Sequence, residues 1–178
     1  MYEINPAPRS HFALELEKTG LMAGKKHHFE FSRYHGTLQY DKEQAANSSL
    51  KLTVESQSAI CQDTWVKPKD REKIQGYALH EMLDAERYPK IIFQSTAVKP
   101  MTEGRFQVQG QLTIRDRTEP VTVEVKVDSS NSQRLGFTGQ ASIRLTDYDL
   151  KPPTAALGAI GTKDEMIVLF QLTGAPAK

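Results

Sequence analysis

Apolar residues occupy every second position over run after run of this chain, and that period limits the possible folds more than any other feature. Phe106, Val108, Gly110, Leu112 and Ile114 share one parity. Val121, Val123, Val125 and Val127 form a second such run, and Phe137, Gly139, Ala141, Ile143 and Leu145 a third. Successive side chains on a strand point to opposite faces, so each run offers one apolar face and one carrying Gln, Thr, Lys, Glu or Arg. So many one-faced runs predict an antiparallel sheet wrapped around an oily interior.

Eight strands follow from the parity rule. The first carries Phe12, Leu14 and Leu16. The second runs from Lys26 to Tyr40, with Phe29 and Phe31 on one face and a bulge expected at Gly36. Leu50, Leu52 and Val54 mark the third, and Ile91 to Val98, with Phe93, the fourth. The three opening runs are the fifth to seventh. Glu165 to Leu172, with Val168 and Phe170, is the eighth. Most links are short and hold turn residues: Lys99 to Gly104, Asp116 to Glu119, and the Ser- and Asn-rich Asp128 to Gln133.

Two links are longer. Between strands three and four, Trp65 to Ala85 places Ile74, Tyr77, Ala78 and Met82 at helical spacing, which predicts an amphipathic helix over one end of the sheet. Lys151 to Thr162 reads as a partly apolar loop near the rim.

Alternation alone fits a sandwich as well as a barrel. Sandwiches usually require long crossover connections, and most links here are short. The expected architecture is therefore all-β: an eight-stranded antiparallel up-and-down barrel with one amphipathic helix, forming a single domain over residues 1–178. Gly110 and Gly139 lie on the inward parity, where a small residue leaves space or permits sharp curvature.

With 178 residues the chain is long enough for a sizeable core, and its net charge of +1 argues against a nucleic-acid partner. No apolar run approaches the length of a membrane-spanning helix. The start, Met-Tyr-Glu-Ile-Asn-Pro, has neither a basic nor an apolar leader segment, so a cytoplasmic location is expected, or a periplasmic one if a leader was removed. Cys61 is the single cysteine, which excludes an internal disulfide and a cysteine zinc cluster.

The stretch Tyr88-Pro89-Lys90-Ile91-Ile92-Phe93-Gln94-Ser95 resembles the Tyr-Pro-x-Ile-x-Phe-x-Ser signature of the YceI-like family. Gly110-Gln111-Leu112-Thr113-Ile114, followed by Thr118-Glu119-Pro120-Val121, is similar to the family's next strand pair. Gly136-Phe137, Asp147-Tyr148 and Ile160-Gly161 match later blocks, and Tyr2-x-Ile4-x-Pro6 with Ser10 matches its opening. The resemblance covers nearly the whole chain in order. It implies a lipocalin-like barrel that holds a polyisoprenoid or similar long-chain lipid; the scarcity of inward polar residues and of catalytic motifs adds the expectation of no catalysis and no cofactor. Homodimers occur among similar proteins and are open to this chain, although no residue in it demonstrates one, and without a membrane-spanning run the membrane contact open to it is transient. Three features depart from the pattern: Arg9 replaces a His before Ser10, Lys25-Lys26-His27-His28 opens the second strand, and Ile60 to Trp65 has no counterpart.

The expected ligand-binding set is the inward face: Phe12, Leu14 and Leu16; Phe29 and Phe31; Leu52 and Val54; and Phe93. Phe106, Val108 and Leu112, then Val123 and Val125, Phe137 and Ile143, and finally Val168 and Phe170 complete it. From pattern alone these residues equally describe a solid core, since small barrels are often filled. The rivals that stay open are an interaction module with a filled core, a haem or quinone protein, and an enzyme acting inside the barrel.

Adjacent His27 and His28 must point to opposite faces, so they cannot share a metal. They read as a polar strand end, and His27→Ala is expected to change little. Lys25 and Lys26, or Lys67, Lys69, Arg71 and Lys73, are candidates to meet a phosphate head group. Asp147-Tyr148-Asp149 reads as a strand end rather than a catalytic or calcium site.

Overall fold

The computed structural model describes residues 1–131 and 133–178. Its strands are β1 (Tyr2–Ile4), β2 (His11–Gly20), β3 (Lys26–Phe31), β4 (Tyr34–Gln39), β5 (Ser49–Glu55) and β6 (Ala59–Cys61), followed by β7 (Lys90–Pro100), β8 (Arg105–Ile114), β9 (Arg117–Asn131), β10 (Arg134–Arg144) and β11 (Ile160–Pro176). All belong to one antiparallel sheet in the order β1-β4-β5-β7-β8-β9-β10-β11-β2-β3-β6, and β1 also pairs with β11.

That second pairing closes a ring of eight strands: β1, β4, β5, β7, β8, β9, β10 and β11. The expected eight-stranded barrel is therefore present, although its members differ in part from those predicted. Strand β11 takes part in two walls. Its far end, Gly174 to Pro176, lies beside β1, while Ile160 to Gln171 lies beside β2. Strands β2, β3 and β6 then extend the wall sideways from the lower part of β11.

The predicted second strand is two strands. Inward positions are odd in β3 (Phe29, Phe31) and even in β4 (Tyr34, Leu38), so the chain turns a corner at Ser32–Arg33. One buried serine, Ser58, holds that corner. Ser32 N donates to Ser58 O at 3.2 Å, Arg33 N to Ser58 Oγ at 3.1 Å, and Ser58 Oγ to Glu55 O at 2.8 Å. Gly36 is regularly paired with Ile4 and Leu52 and is no bulge. A Cβ there would lie 3.0 Å from Leu52 Cδ1, so the glycine serves close approach between strands.

The other differences have similarly local causes. Strands β1 and β6 have three residues each, too few to show a period. The expected loop Lys151–Thr162 ends earlier, because Ile160 already pairs with Gly20 and starts β11. The link expected over Asp128–Gln133 includes Ser132, which lies outside the described residues, and β9 continues to Asn131 on one side of it. The Asp147-Tyr148-Asp149 segment is a 3-10 turn over Leu145–Tyr148 followed by Asp149 in a left-handed conformation.

The helix is shorter than its pattern. α1 spans Pro68–Tyr77, with Pro68 in its first turn where a missing N–H costs nothing, and one π-helical turn, Ala78–Met82, follows. Ile74 and Tyr77 do not join the apolar lining of the barrel; Ala78, Met82 and Leu83 do. The helix covers the free edge of β6 through one side chain. Cys61 N donates to Gln75 Oε1, and Gln75 Nε2 donates to Ala59 O, both at 2.6 Å. A primary amide thereby stands in for the neighbouring strand that β6 lacks.

Candidate ligand-binding cavity

The inward faces do not meet. They enclose a cavity of about 200 Å³, whereas a single water needs only about 10–15 Å³. Phe12, Leu14, Leu16, Val123, Val125 and Phe170 keep intermediate exposure although they point inward, because their inner surfaces border this space. Of the inward set read from the sequence, all but Val54 line it. Val54 has 2% exposure and packs within the core group that includes Tyr34, its partner across β4 and β5.

The glycines on the inward parity make no empty space. A Cβ at Gly110 would lie 2.4 Å from Phe93 Cζ, and one at Gly139 would lie 2.6 Å from Phe170 Cζ. Each glycine is roofed by a phenyl ring from the next strand, a known way to stabilise a glycine in a sheet.

The two ends of the cavity differ. One is bordered by Tyr40, Ser48 and Ser49 together with Val98, Phe106 and Val127. Tyr40 has its phenol raised above the usual tyrosine range by burial and by neighbouring Tyr2. The other end is bordered by Leu16, Met82, Leu83, Ile114, Leu145 and Leu150. Between them the lining is hydrocarbon, which water wets poorly and an alkyl or prenyl chain fills well.

Sequence reasoning missed several lining residues. Ile4 lies in a strand too short to announce itself, and Leu150 lies past the end of β10. It also missed Lys18, which continues the even parity of Phe12, Leu14 and Leu16 and is only 7% exposed. That signal was legible: a lysine in register with an apolar stripe.

Outside the lining, the polar residues of β2, β3 and the following segment are engaged with one another. His27 Nδ1 lies 2.6 Å from Asp63 Oδ2, and the carboxylate's other oxygen accepts from His28 N at 2.8 Å. Asp63 is 2% exposed. The Trp65 ring lies over His27 with centroids 5.4 Å apart, and its indole N–H donates to Lys26 O at 2.8 Å. His28 points the opposite way and lies between Glu15 and Glu30 at 3.4 and 3.2 Å. The alternation expected for the two histidines is therefore present. His27 is in addition the side-chain partner of a buried carboxylate, which is the ground for expecting more from its removal than a polar strand end suggests.

None of the lysines and arginines considered for a head group borders the cavity. Lys26 lies 3.5 Å from Glu15, and Arg71 donates to Asp63 O at 3.4 Å. Cys61 is a buried core residue whose thiol burial pushes up to about 11.

The model of the YceI-like domain matches residues 2–173. The chain belongs to the YceI-like family. Among its relatives is a UPF0312 protein of Pseudomonas putida, 30% identical over 138 residues, covering 72% of this chain and 69% of that one. A UPF0312 protein of Vibrio parahaemolyticus is 27% identical over 125 residues, and the matched part is 67% of this chain but 62% of the relative's length. Two solved structures share the fold of this family member. BcnA of Burkholderia cenocepacia superposes with a TM-score of 0.73 at 23% identity, covering 93% of this chain and 96% of BcnA. A polyisoprenoid binding domain from Saccharophagus degradans superposes at 0.67 with 12% identity, over 98% of both chains. At these identities the likeness shows the barrel fold.

Proposed function

We propose that this chain binds a long-chain apolar or amphiphilic lipid, of the polyisoprenoid or isoprenoid-quinone type, inside its barrel for transport, storage or sequestration. The observation that carries this reading is the continuous hydrocarbon lining of an unfilled interior. Each isoprene unit buries on the order of 100 Å², worth roughly 2 kcal/mol at about 25 cal/mol per Å². A few units therefore offset the cost of association with little help from hydrogen bonds. The likeness to a polyisoprenoid binding domain supports the same class of ligand.

Binding is favoured over catalysis by the arrangement of polar groups. The His27–Asp63 pair lies outside the lining, with Asp63 committed to a backbone N–H, and among the described residues the polar members of the lining are Tyr40, Ser48 and Ser49, all at one end. A filled-core interaction module is disfavoured by the space itself.

Val125 lines the cavity beside its cross-strand partner Phe106, and a carboxylate facing that hydrocarbon surface is costly to bury. The expected outcome for Val125→Asp, in a variant shown by circular dichroism to be folded, is a loss of at least about 100-fold in farnesol affinity by equilibrium titration. Val123→Phe, which fills the cavity without adding charge, is expected to weaken binding in the same direction. Unchanged affinity in both folded variants would place the ligand elsewhere and overturn the reading.

A further inference from the structure

Lys18 has no place in the binding reading so far, and its surroundings are unusual for a lysine. It shares the inward face of Phe12, Leu14 and Leu16, and it lies one inward position beyond Leu16. Leu16 pairs with Met166, and both border the cavity; past a register shift in β11 the next inward residue of β2, Lys18, pairs with Thr162, and these two lie just beyond the lining. The ammonium donates to Thr162 Oγ1 at 3.0 Å, and both residues are buried, at 7% and 9% exposure. Among the described residues no carboxylate is within ion-pairing distance of it. Neighbouring Glu17 faces the other way and holds Lys163 at 3.0 Å.

An ammonium has three donors, and among the described residues one of them is engaged, by Thr162. A buried cation without a counter-charge is costly to the fold, and burial already holds this one below the usual lysine range. A carboxylate or phosphate oxygen would supply both the missing charge and the missing acceptors in one group. Strand register places this pair at the end of the barrel opposite Tyr40, Ser48 and Ser49. Phe12 pairs with Phe170 in the upper half, and six residues of strand, about 20 Å, separate it from Lys18.

We propose that Lys18 and Thr162 form an anion receptor at the inner end of the cavity, so that the amphiphile held there carries an acidic head group, a carboxylate or a phosphate monoester. This inference depends on the lipid-binding reading above and adds to it the charge and orientation of the ligand: head at Lys18, tail towards the hydroxyl end.

The test is competitive titration of the full chain with two matched pairs, farnesyl phosphate against farnesol and hexadecanoate against hexadecanol. At least one acid is expected to bind about tenfold or more tightly than its alcohol, and the pair that shows the larger difference names the head group. Lys18→Met should remove that difference, and Lys18→Arg should restore it. Inorganic phosphate at millimolar concentration should not displace farnesyl phosphate. Displacement by phosphate alone would mean that a free anion occupies the site and would overturn the head-group assignment. Equal affinity of acids and alcohols for the wild-type chain would overturn this inference and leave the lipid reading standing, and that comparison needs no variant to fold. A preference for the acid that survives in Lys18→Met would remove Lys18 from the account. Failure of all four probes to bind would overturn the lipid reading and this inference together.

Discussion

At the scale of single residues, the chain keeps its polar exceptions in places where the apolar wall cannot accommodate them. Asp63 is the clearest case. Its carboxylate is buried, and it survives there because an imidazole and a backbone N–H reach both of its oxygens. Removing the hydrogen-bond partner of a buried carboxylate leaves an acceptor unmet away from water, which costs more than the net worth of the bond. His27→Ala should therefore destabilise the fold by about 3 kcal/mol, read as a lowered urea midpoint at unchanged slope. A change under about 0.5 kcal/mol, the usual size for a neutral surface position, would mean that Asp63 finds another partner. Alternation revealed that His27 and His28 face opposite ways. It could not reveal Asp63 as the partner, because the contact joins residues 36 apart through a strand of three residues.

At the scale of elements, legibility followed length. Strands β8, β9 and β10, with ten or more residues each, declared themselves by period, and their registers run uninterrupted over most of their lengths. The corner between β3 and β4 was also written in the chain, as the change from odd to even inward positions, but Gly36 offered a more conspicuous and misleading signal. Strand β6 and the helix end were opaque because neither is stabilised by its own pattern. They stabilise each other, through Gln75. A measurable consequence follows for Gln75→Leu, which removes both hydrogen bonds to the β6 edge. Hydrogen exchange at the Cys61 amide should rise about tenfold or more, corresponding to roughly 1.4 kcal/mol of lost local protection, while amides of β9 and β10 stay unchanged. Equal protection in the variant and the wild type would show that backbone packing alone holds the helix against the sheet.

At the scale of the whole molecule, the barrel and nearly all of its inward face could be read from alternation and motif order. The void could not. Whether inward side chains meet depends on ring radius and strand tilt, and both are set by the closure of β1 onto β11 and β4, which three residues decide. Given that closure, the interior is a hydrocarbon-lined space with hydroxyls at one end and a buried ammonium near the other, and such a space is better occupied by a lipid tail than by water. The most direct test is native mass spectrometry of the freshly purified chain, with organic extraction of whatever accompanies it. The account predicts one non-covalent adduct per chain, released by solvent and identified as a long-chain lipid, and regained when the stripped protein is offered a prenol. A chain that shows only its own mass, and takes up no prenol after extraction, would contradict it.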